Sequence, residues 1–331
     1  MPQSRGRPSS KRPGKGSGGA GRNSRAGASP DRPNAKPPPP DSRRGAAAAG
    51  KARAAREAAR QRAERTQRLK IIGIAVAAVA VVVAVLVIVK VTTGNKGTPK
   101  HVATGSTLSK VVNLTTTIPS ATLDGVPASG DKPKPLRGAQ PLTTDGKPAL
   151  LYAGAEFCPY CAAQRWPLVI ALSRFGTFTG LQTTSSSSTD TLPDTATFTF
   201  LHAKYSSRYL AFQSVELSDR NGKKLQSPTK QQGELLSTYD LQKYTGGENG
   251  SIPFLYYDGK FVSSGATYDG NVLQGKSQLQ IATAIQKPDG KISKAVLGAA
   301  NTLTAQLCTL TKGQPARVCT SAAATSGAGK Q

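Results

Sequence analysis

The stretch LLYAGAEFCPYCAAQRW, residues 150–166, decides the fold of this chain, because it joins an apolar run to two cysteines and then to a helical pattern. The run 149–153 is nearly continuous in apolar character, as expected for a buried central strand. Trp166 and the apolar residues after it recur at helical spacing. The stretch therefore predicts a buried strand, a turn and a helix, with Cys158 and Cys161 at the start of that helix.

The pattern on either side alternates strands with helices. Asp145-Gly146 and Asp258-Gly259 each separate two β-prone runs, and both dipeptides are hairpin signals. The other predicted elements are a helix broken at Pro119, a cysteine-bearing helix kinked or restarted at Pro167, a loop at 173–194, strands at 195–201 and 211–217, a helix near 229–244 and one or two helices at 275–310. We expect an α/β domain with a central mixed sheet.

The net charge of +26 is concentrated at the N-terminus, where residues 1–70 hold 19 Lys and Arg against four acids. Residues 1–48 predict a disordered basic tail, and 49–70 a basic helix. This arm contains no aromatic residue for stacking and no motif that reads DNA or RNA, so we expect no specific nucleic-acid partner. A cytoplasmic tail beside anionic lipid head groups is the commoner interpretation.

Residues 71–89, IIGIAVAAVAVVVAVLVIV, contain no charged or polar side chain. A helix of this length spans about 29 Å, close to the hydrocarbon thickness of a bilayer. We predict one transmembrane helix at 71–91, with the N-terminus in the cytoplasm because more cations precede the span than follow it. The remaining chain is then a linker at 92–106, an extracytoplasmic domain at 107–320 and a flexible C-terminus at 321–331, in a compartment where disulfides persist.

The C-x-x-C spacing suits thiol chemistry. Such a catalyst needs one partly ionised sulfur and a second sulfur close enough to resolve a mixed disulfide. We expect Cys158 at or near the N-cap of the helix, where free N–H groups and the helix dipole stabilise a thiolate. Pro159 suits the first helical turn, because it needs no N–H partner there. Cys161, one turn later, would be the resolving thiol.

At this point the residues carry a resemblance. The strand LLYAGA, the turn residues Glu156 and Phe157, and CPYC at a helix start resemble the active-site corner of the thioredoxin-like superfamily. The segment SIPFLYYDGKFV, residues 251–262, extends the resemblance. In that superfamily a cis-proline opens a strand leading into a hairpin beside the catalytic cysteines, and Pro253 occupies the corresponding place.

The resemblance implies a function and its site residues. Cys158 would be the nucleophile and Cys161 the resolving thiol, while Pro253 would let the backbone of Ile252 pair with an extended substrate segment. Tyr160 would lie exposed between the cysteines and tune substrate fit. The implied protein is a membrane-anchored thiol-disulfide oxidoreductase acting on protein thiols and disulfides, without metal or organic cofactor and recycled by a redox partner.

A narrower resemblance covers GAEFCPYCAAQRW, SRFGTF and the Ser-rich insertion, which are similar to a family catalogued as domain of unknown function 929. The chain departs from thioredoxins in three respects. Phe157 replaces a tryptophan, and Tyr152 stands where they have a buried carboxylate, which leaves Glu156 as the nearby acid for proton transfer. About ninety residues separate Cys161 from Pro253, which predicts an insertion in the thioredoxin-like fold.

Other interpretations of the cysteines stay open beside the redox one. A zinc site would use two short-spaced pairs, but Cys308 and Cys319 have ten residues between them, and we predict no metal. A bridge between Cys308 and Cys319 would be structural and stabilise the fold by about 3 kcal/mol. If all four cysteines are structural, the chain is a non-catalytic thioredoxin-like binding or scaffold domain of the cell envelope.

Two side chains that follow the cysteines were open to interpretation. Trp166, the only tryptophan, is expected in the core rather than as a platform for substrate. Arg165 could neutralise a substrate or be a surface charge on the helix.

Overall fold

The structure is a computed structural model that describes residues 102–328. The predicted basic tail, juxtamembrane helix and transmembrane helix lie outside the described residues. Within 102–328, every helix is too short or too polar to cross a bilayer.

A mixed sheet forms the centre of the described region. In chain order the strands are β1 (Lys134–Pro135), β2 (Thr143–Thr144), β3 (Lys147–Gly154), β4 (Thr177–Thr179), β5 (Gln182–Ser185), β6 (Ala196–Thr199), β7 (Lys204–Ser206), β8 (Ala211–Glu216), β9 (Phe254–Tyr257) and β10 (Phe261–Ser264). The sheet has the order β1-β10-β9-β3-β2, and β8 also pairs with β3. The β3–β8 pair is parallel and the other pairs of this sheet are antiparallel. The predicted α/β class is confirmed.

Helices cover both faces of this sheet. They are α1 (Gly105–Thr116), α2 (Ser120–Asp124), α3 (Pro159–Ser173), α4 (Lys230–Tyr239), α5 (Gln242–Thr245), α6 (Gln278–Ala284), α7 (Lys291–Leu310), α8 (Ala316–Cys319) and α9 (Ala322–Ala328), with a 3₁₀ turn at Gly270–Leu273. Alternate side chains of β3 point to opposite faces. Leu150 and Tyr152 join a core with α3 and α7, whereas Leu151 and Ala153 join a second core with α4.

Both predicted hairpins are present. Asp145 and Gly146, between β2 and β3, have φ of 51° and 73°, and Asp258 and Gly259, between β9 and β10, have φ of 46° and 70°. Two successive residues in the left-handed region form the turn that matches the twist of a hairpin. These turns fix the register of β3 and β9, the two strands that lead to and from the cysteine corner.

The segment between α3 and β8 differs from its prediction. The sequence indicated a loop at 173–194, but β4 and β5 lie within that range and pair with β7 and β6. Threonine is β-branched and favours strands, and it recurs along β4 and β5 among the serines that suggested a loop. The β5–β6 pair packs on α3, where the Trp166 indole donates to the Ala196 carbonyl over 3.0 Å.

The helices bear on two of the sequence expectations. Pro167 lies inside α3, which continues to Ser173, so of the two expected effects the restart does not occur. The folded region extends past residue 320, because α9 buries Ala323 and Ala324 in the stretch assigned to a flexible C-terminus. The expected Cys308–Cys319 disulfide is present and joins α7 to α8.

Candidate functional site

The two remaining cysteines lie where β3 turns into α3. Cys158 is the N-cap of α3, with an extended backbone, and its sulfur accepts a hydrogen bond of 3.2 Å from the Cys161 amide. Pro159 occupies the first turn, as expected for a residue without an N–H to satisfy. The sulfur of Cys158 therefore faces the positive end of the helix dipole.

Both cysteines are thiols in the structure, and both are buried, whereas Tyr160 between them is exposed. Cys158 is 4 % exposed and Cys161 is fully buried, whereas Tyr160 is 47 % exposed. Tyr160 is thus the aromatic group that a partner approaching the cysteines meets at the surface.

The segment before β9 reaches this corner from the other side. The Ile252–Pro253 peptide bond is cis, and Phe254 then pairs with Ala153 at the end of β3. This register brings the Ile252 carbonyl to 3.5 Å from the Cys158 sulfur, where it accepts a hydrogen bond from the thiol. The structure therefore brings Ile252 and Pro253 to the two cysteines, as the sequence predicted, although 94 positions separate Cys158 from Ile252.

Glu156, the acid proposed for proton transfer, is also buried, at 8 % exposure. Burial raises the pKa of its carboxyl, and a hydrogen bond with the Thr199 side chain and the charge of Arg165 partly oppose this rise. Its amide donates to the Ser218 carbonyl, which fixes the backbone ahead of the cysteines. The geometry places Glu156 beside the corner and shows no hydrogen bond from its carboxyl to either sulfur among the described residues.

An ion pair that no sequence pattern predicted lies below the cysteines. Arg165 is not on the surface: it is fully buried and binds both oxygens of Glu216, at 3.0 and 2.7 Å. The guanidinium also donates to the Ala155 carbonyl, and Glu216 accepts from the Phe200 amide. Glu216 ends β8, so the parallel pairing of β8 with β3 places its charge next to the cysteine corner. The one sequence signal for this pair is that Glu216, a charged residue, ends the otherwise β-prone run 211–216.

Tyr152 and Gly154 complete the floor of the site. Tyr152 is fully buried, and the Arg165 guanidinium lies 5.7 Å from the centre of its ring. A Cβ on Gly154 would lie 2.2 Å from the Tyr152 hydroxyl and 3.1 Å from the Cys161 sulfur. Both atoms therefore lie beside the position that a Cβ of residue 154 would take, and only glycine leaves that space free. Tyr152 was noted in the sequence as a missing carboxylate, not as a member of the site.

Burial dominates the protonation of these groups. It raises the pKa of the Cys161 thiol well above its ordinary value; Cys158 adds to this rise and Arg165 opposes it. Burial likewise raises the pKa of the Tyr152 hydroxyl, again opposed by Arg165. Tyr152 therefore stays protonated at physiological pH, whereas Arg165 and a backbone hydrogen bond at Ala155 favour a Cys161 thiolate.

The segment between α3 and β8 borders the same corner. The Ser187 amide donates to the Phe157 carbonyl over 2.9 Å, next to Cys158. Arg220 holds this part of the segment in place through the Ser186 carbonyl and the Asp194 carboxylate. Within residues 102–328 no cluster of three or more His, Cys, Asp or Glu side chains could hold a metal ion.

The comparisons with known proteins place this corner within a family. No curated protein and no solved structure matches the chain significantly. The family described as Domain of unknown function (DUF929) matches residues 137–309, which is just over half of the 331 residues and spans β3 to α7 with both thiols. The chain therefore belongs to the family of unknown function 929.

Proposed function

We propose that this chain is a thiol-disulfide oxidoreductase acting on protein thiols and disulfides through Cys158 and Cys161. The observation that carries the proposal is the environment of the Cys158 sulfur, which lies at a helix N-cap between the Cys161 amide and the Ile252 carbonyl. The Cys161 amide and the N-terminus of α3 face this sulfur, which is the placement expected of an attacking cysteine. The backbone of Ile252 lies where a substrate segment bonded to Cys158 would pass.

The reaction follows from the two positions. The Cys158 thiolate attacks one sulfur of a substrate disulfide, the substrate S–S bond breaks, and the departing thiolate takes up a proton. Cys161 then loses its proton and attacks the Cys158 sulfur, so that the mixed disulfide breaks and the second substrate thiol leaves. One substrate disulfide is reduced to two thiols, and Cys158 and Cys161 are oxidised to a disulfide. The reverse sequence oxidises substrate thiols, and the redox potential of a partner sets the direction.

The topology supports a thioredoxin-like fold. Along the chain the elements run β3, α3, β8, α4, β9, β10 and α7, with β8 parallel and β9 antiparallel to β3. The paired strands β4 to β7 are the insertion in this scheme and lie between α3 and β8. This order places the cysteine pair, which follows the C-terminal end of β3, next to the segment that precedes the N-terminal end of β9. A substrate segment bonded to Cys158 could then pair with that segment.

We place the catalytic domain outside the cytoplasmic membrane, anchored by a single helix at 71–91 with a cytoplasmic N-terminus. The support is the uncharged apolar run at 71–89 and the excess of cations before it. The Cys308–Cys319 disulfide agrees with an oxidising compartment. The basic tail would then lie against anionic lipid head groups, and a redox partner in the same compartment would recycle the cysteines.

One observation favours a second candidate, a non-catalytic binding or scaffold domain. Cys158 is only 4 % exposed, and Cys161 is fully buried. If nothing opens this corner, the two sulfurs act as a structural pair and the exposed Tyr160 remains as a contact for a partner.

A redox titration separates the two candidates. Full-length protein in mild detergent is equilibrated in dithiothreitol or glutathione buffers, trapped by alkylation, and mapped by mass spectrometry. We expect Cys158 and Cys161 to exchange reversibly at a potential of about −120 to −270 mV, with Cys308–Cys319 unchanged. A Cys158–Cys161 pair that changes state only after denaturation would establish the structural role instead.

Two variants provide matched controls. Cys161→Ser leaves the attacking sulfur without its resolving partner, so a mixed disulfide with substrate should accumulate on Cys158. Cys158→Ser should form no such species, because Cys161 is buried.

A further inference from the structure

We propose that Tyr152 stabilises the Cys161 thiolate by donating a hydrogen bond from its hydroxyl, with the Arg165 guanidinium supplying positive charge from below. This inference deepens the proposed oxidoreductase function and rests on it. In this proposal three buried side chains, Tyr152, Arg165 and Glu216, assist the step in which Cys161 attacks the mixed disulfide on Cys158.

The first support is a buried donor without a partner. The Tyr152 hydroxyl makes no hydrogen bond with any described residue, although the side chain is fully buried. An unsatisfied buried hydroxyl is unfavourable, so it is expected to have a partner in some state of the protein. The Cys161 sulfur borders the same space at Gly154 as the Tyr152 hydroxyl does. A thiolate is a far better acceptor than a thiol, so this hydrogen bond strengthens at the step in which Cys161 loses its proton.

The second support is the way in which Arg165 is held. Glu216 binds the Nε and one terminal nitrogen of the guanidinium, while the other terminal nitrogen has no partner among the described residues. The guanidinium is thus fixed in place, and the two N–H bonds of its second terminal nitrogen are left without a partner among the described residues. Its charge favours the ionised form of Cys161, and Glu216 keeps the pair neutral while the thiol is protonated.

The third support is chemical need. Burial disfavours a Cys161 thiolate, yet the resolving step requires one. The charged or titratable groups that act on Cys161 or adjoin it are Cys158, Arg165, Tyr152, Glu216 and Glu156. The charge of Arg165 and a backbone hydrogen bond at Ala155 lower the Cys161 pKa, and burial keeps the Tyr152 hydroxyl protonated, so that it is available as a further donor. In the balanced step, Cys161 attacks the Cys158 sulfur, the substrate thiolate leaves, and the proton lost by Cys161 ends on that thiolate.

The test uses a disulfide reagent that reports each attack separately. Reduced full-length protein in mild detergent is mixed with 5,5′-dithiobis(2-nitrobenzoic acid), and the released thionitrobenzoate is followed by absorbance. Attack by Cys158 releases the first equivalent, and attack by Cys161 on the mixed disulfide releases the second. Cys161→Ser identifies the phases, because it should release only one equivalent.

The decisive variant is Tyr152→Phe, which removes the hydroxyl and keeps the ring against Phe200. We expect the second phase to slow by about ten- to hundredfold at neutral pH, the effect of losing a hydrogen bond to a charged group. The pH at which the second phase reaches half its maximal rate should rise, while the first phase stays unchanged. Tyr257→Phe is the matched control, because Tyr257 is equally buried but lies at the end of β9 away from Pro253.

The outcomes separate the two proposals. If wild-type protein releases no thionitrobenzoate from Cys158 and Cys161, the oxidoreductase function fails and this inference falls with it. If wild type shows both phases and Tyr152→Phe matches it in rate and pH profile, only the role of Tyr152 is overturned. Should Tyr152→Phe not fold, 3-fluorotyrosine at this position provides a stronger donor: a faster second phase supports the proposal and an unchanged one overturns it.

Discussion

Removal of one partner of the buried ion pair below the cysteines should be among the most destabilising single substitutions in this protein. We consider Arg165→Met, which replaces the guanidinium with an uncharged chain. The substitution removes hydrogen bonds of 3.0 and 2.7 Å to Glu216 and one of 2.9 Å to Ala155. Glu216, itself fully buried, would keep a single donor, the Phe200 amide. Breaking a buried pair in this way costs about 3–5 kcal/mol, because the remaining charge is uncompensated.

Equilibrium unfolding in urea measures this loss, and the fluorescence of Trp166 reports it. Trp166 is the only tryptophan in the chain and follows Arg165 directly in α3. With an m-value of about 3 kcal/mol/M, a loss of about 4 kcal/mol lowers the urea midpoint by more than about 1 M. Arg208→Met is the matched control, because Arg208 is exposed and its replacement should change stability by less than about 0.5 kcal/mol.

A double variant tests the cause of the loss. Glu216→Gln keeps an acceptor for the Phe200 amide but removes the negative charge. Added to Arg165→Met, it should restore part of the lost stability, with a coupling free energy of about 2 kcal/mol or more. If Arg165→Met loses less than about 1 kcal/mol, or if the two substitutions are additive, the pair is not desolvated as described and the reasoning is refuted.

Three further predictions concern other parts of the fold. Gly154→Ala should lower the free energy of unfolding by about 1–3 kcal/mol, because the new Cβ would lie 2.2 Å from the Tyr152 hydroxyl. A urea midpoint equal to that of the wild type would contradict this clash. Replacing Cys308 and Cys319 with serine should cost about 3 kcal/mol, since the bridge closes a loop of sequence separation 11, and the wild type should show the same loss in a melting experiment with reductant. Burial raises the pKa of Asp240 to about 8, so between pH 4 and 8 the folded state holds a proton that the unfolded state has released. The free energy of unfolding should therefore fall by up to about 1.4 kcal/mol for each unit by which the pH rises in this range. Asp240→Asn should flatten this slope in urea titrations.

Local sequence patterns predicted a large part of the described fold. The two Asp-Gly hairpins, the buried strand β3 and the helix after the cysteines follow from dihedral preferences and apolar periodicity, which neighbouring residues determine. The N-cap position of Cys158 follows likewise from the proline after it. The prediction for 173–194 is wrong because its serines favour loops whereas its threonines also favour strands, and the choice depends on what packs against them. For β6, the partner of β5, that element is α3.

The sequence by itself determined which residues could carry chemistry: two cysteines at helix-start spacing, a proline before a distant hairpin, and a second cysteine pair suited to a bridge. Only the tertiary structure decided what surrounds them. Arg165 and Glu216 are 51 positions apart, and they meet because β8 lies parallel to β3 in one particular register. A shift of that register by one residue would turn Glu216 to the opposite face of the sheet. An ion pair between a helix and a strand depends on such long-range register, which no local pattern of residues encodes.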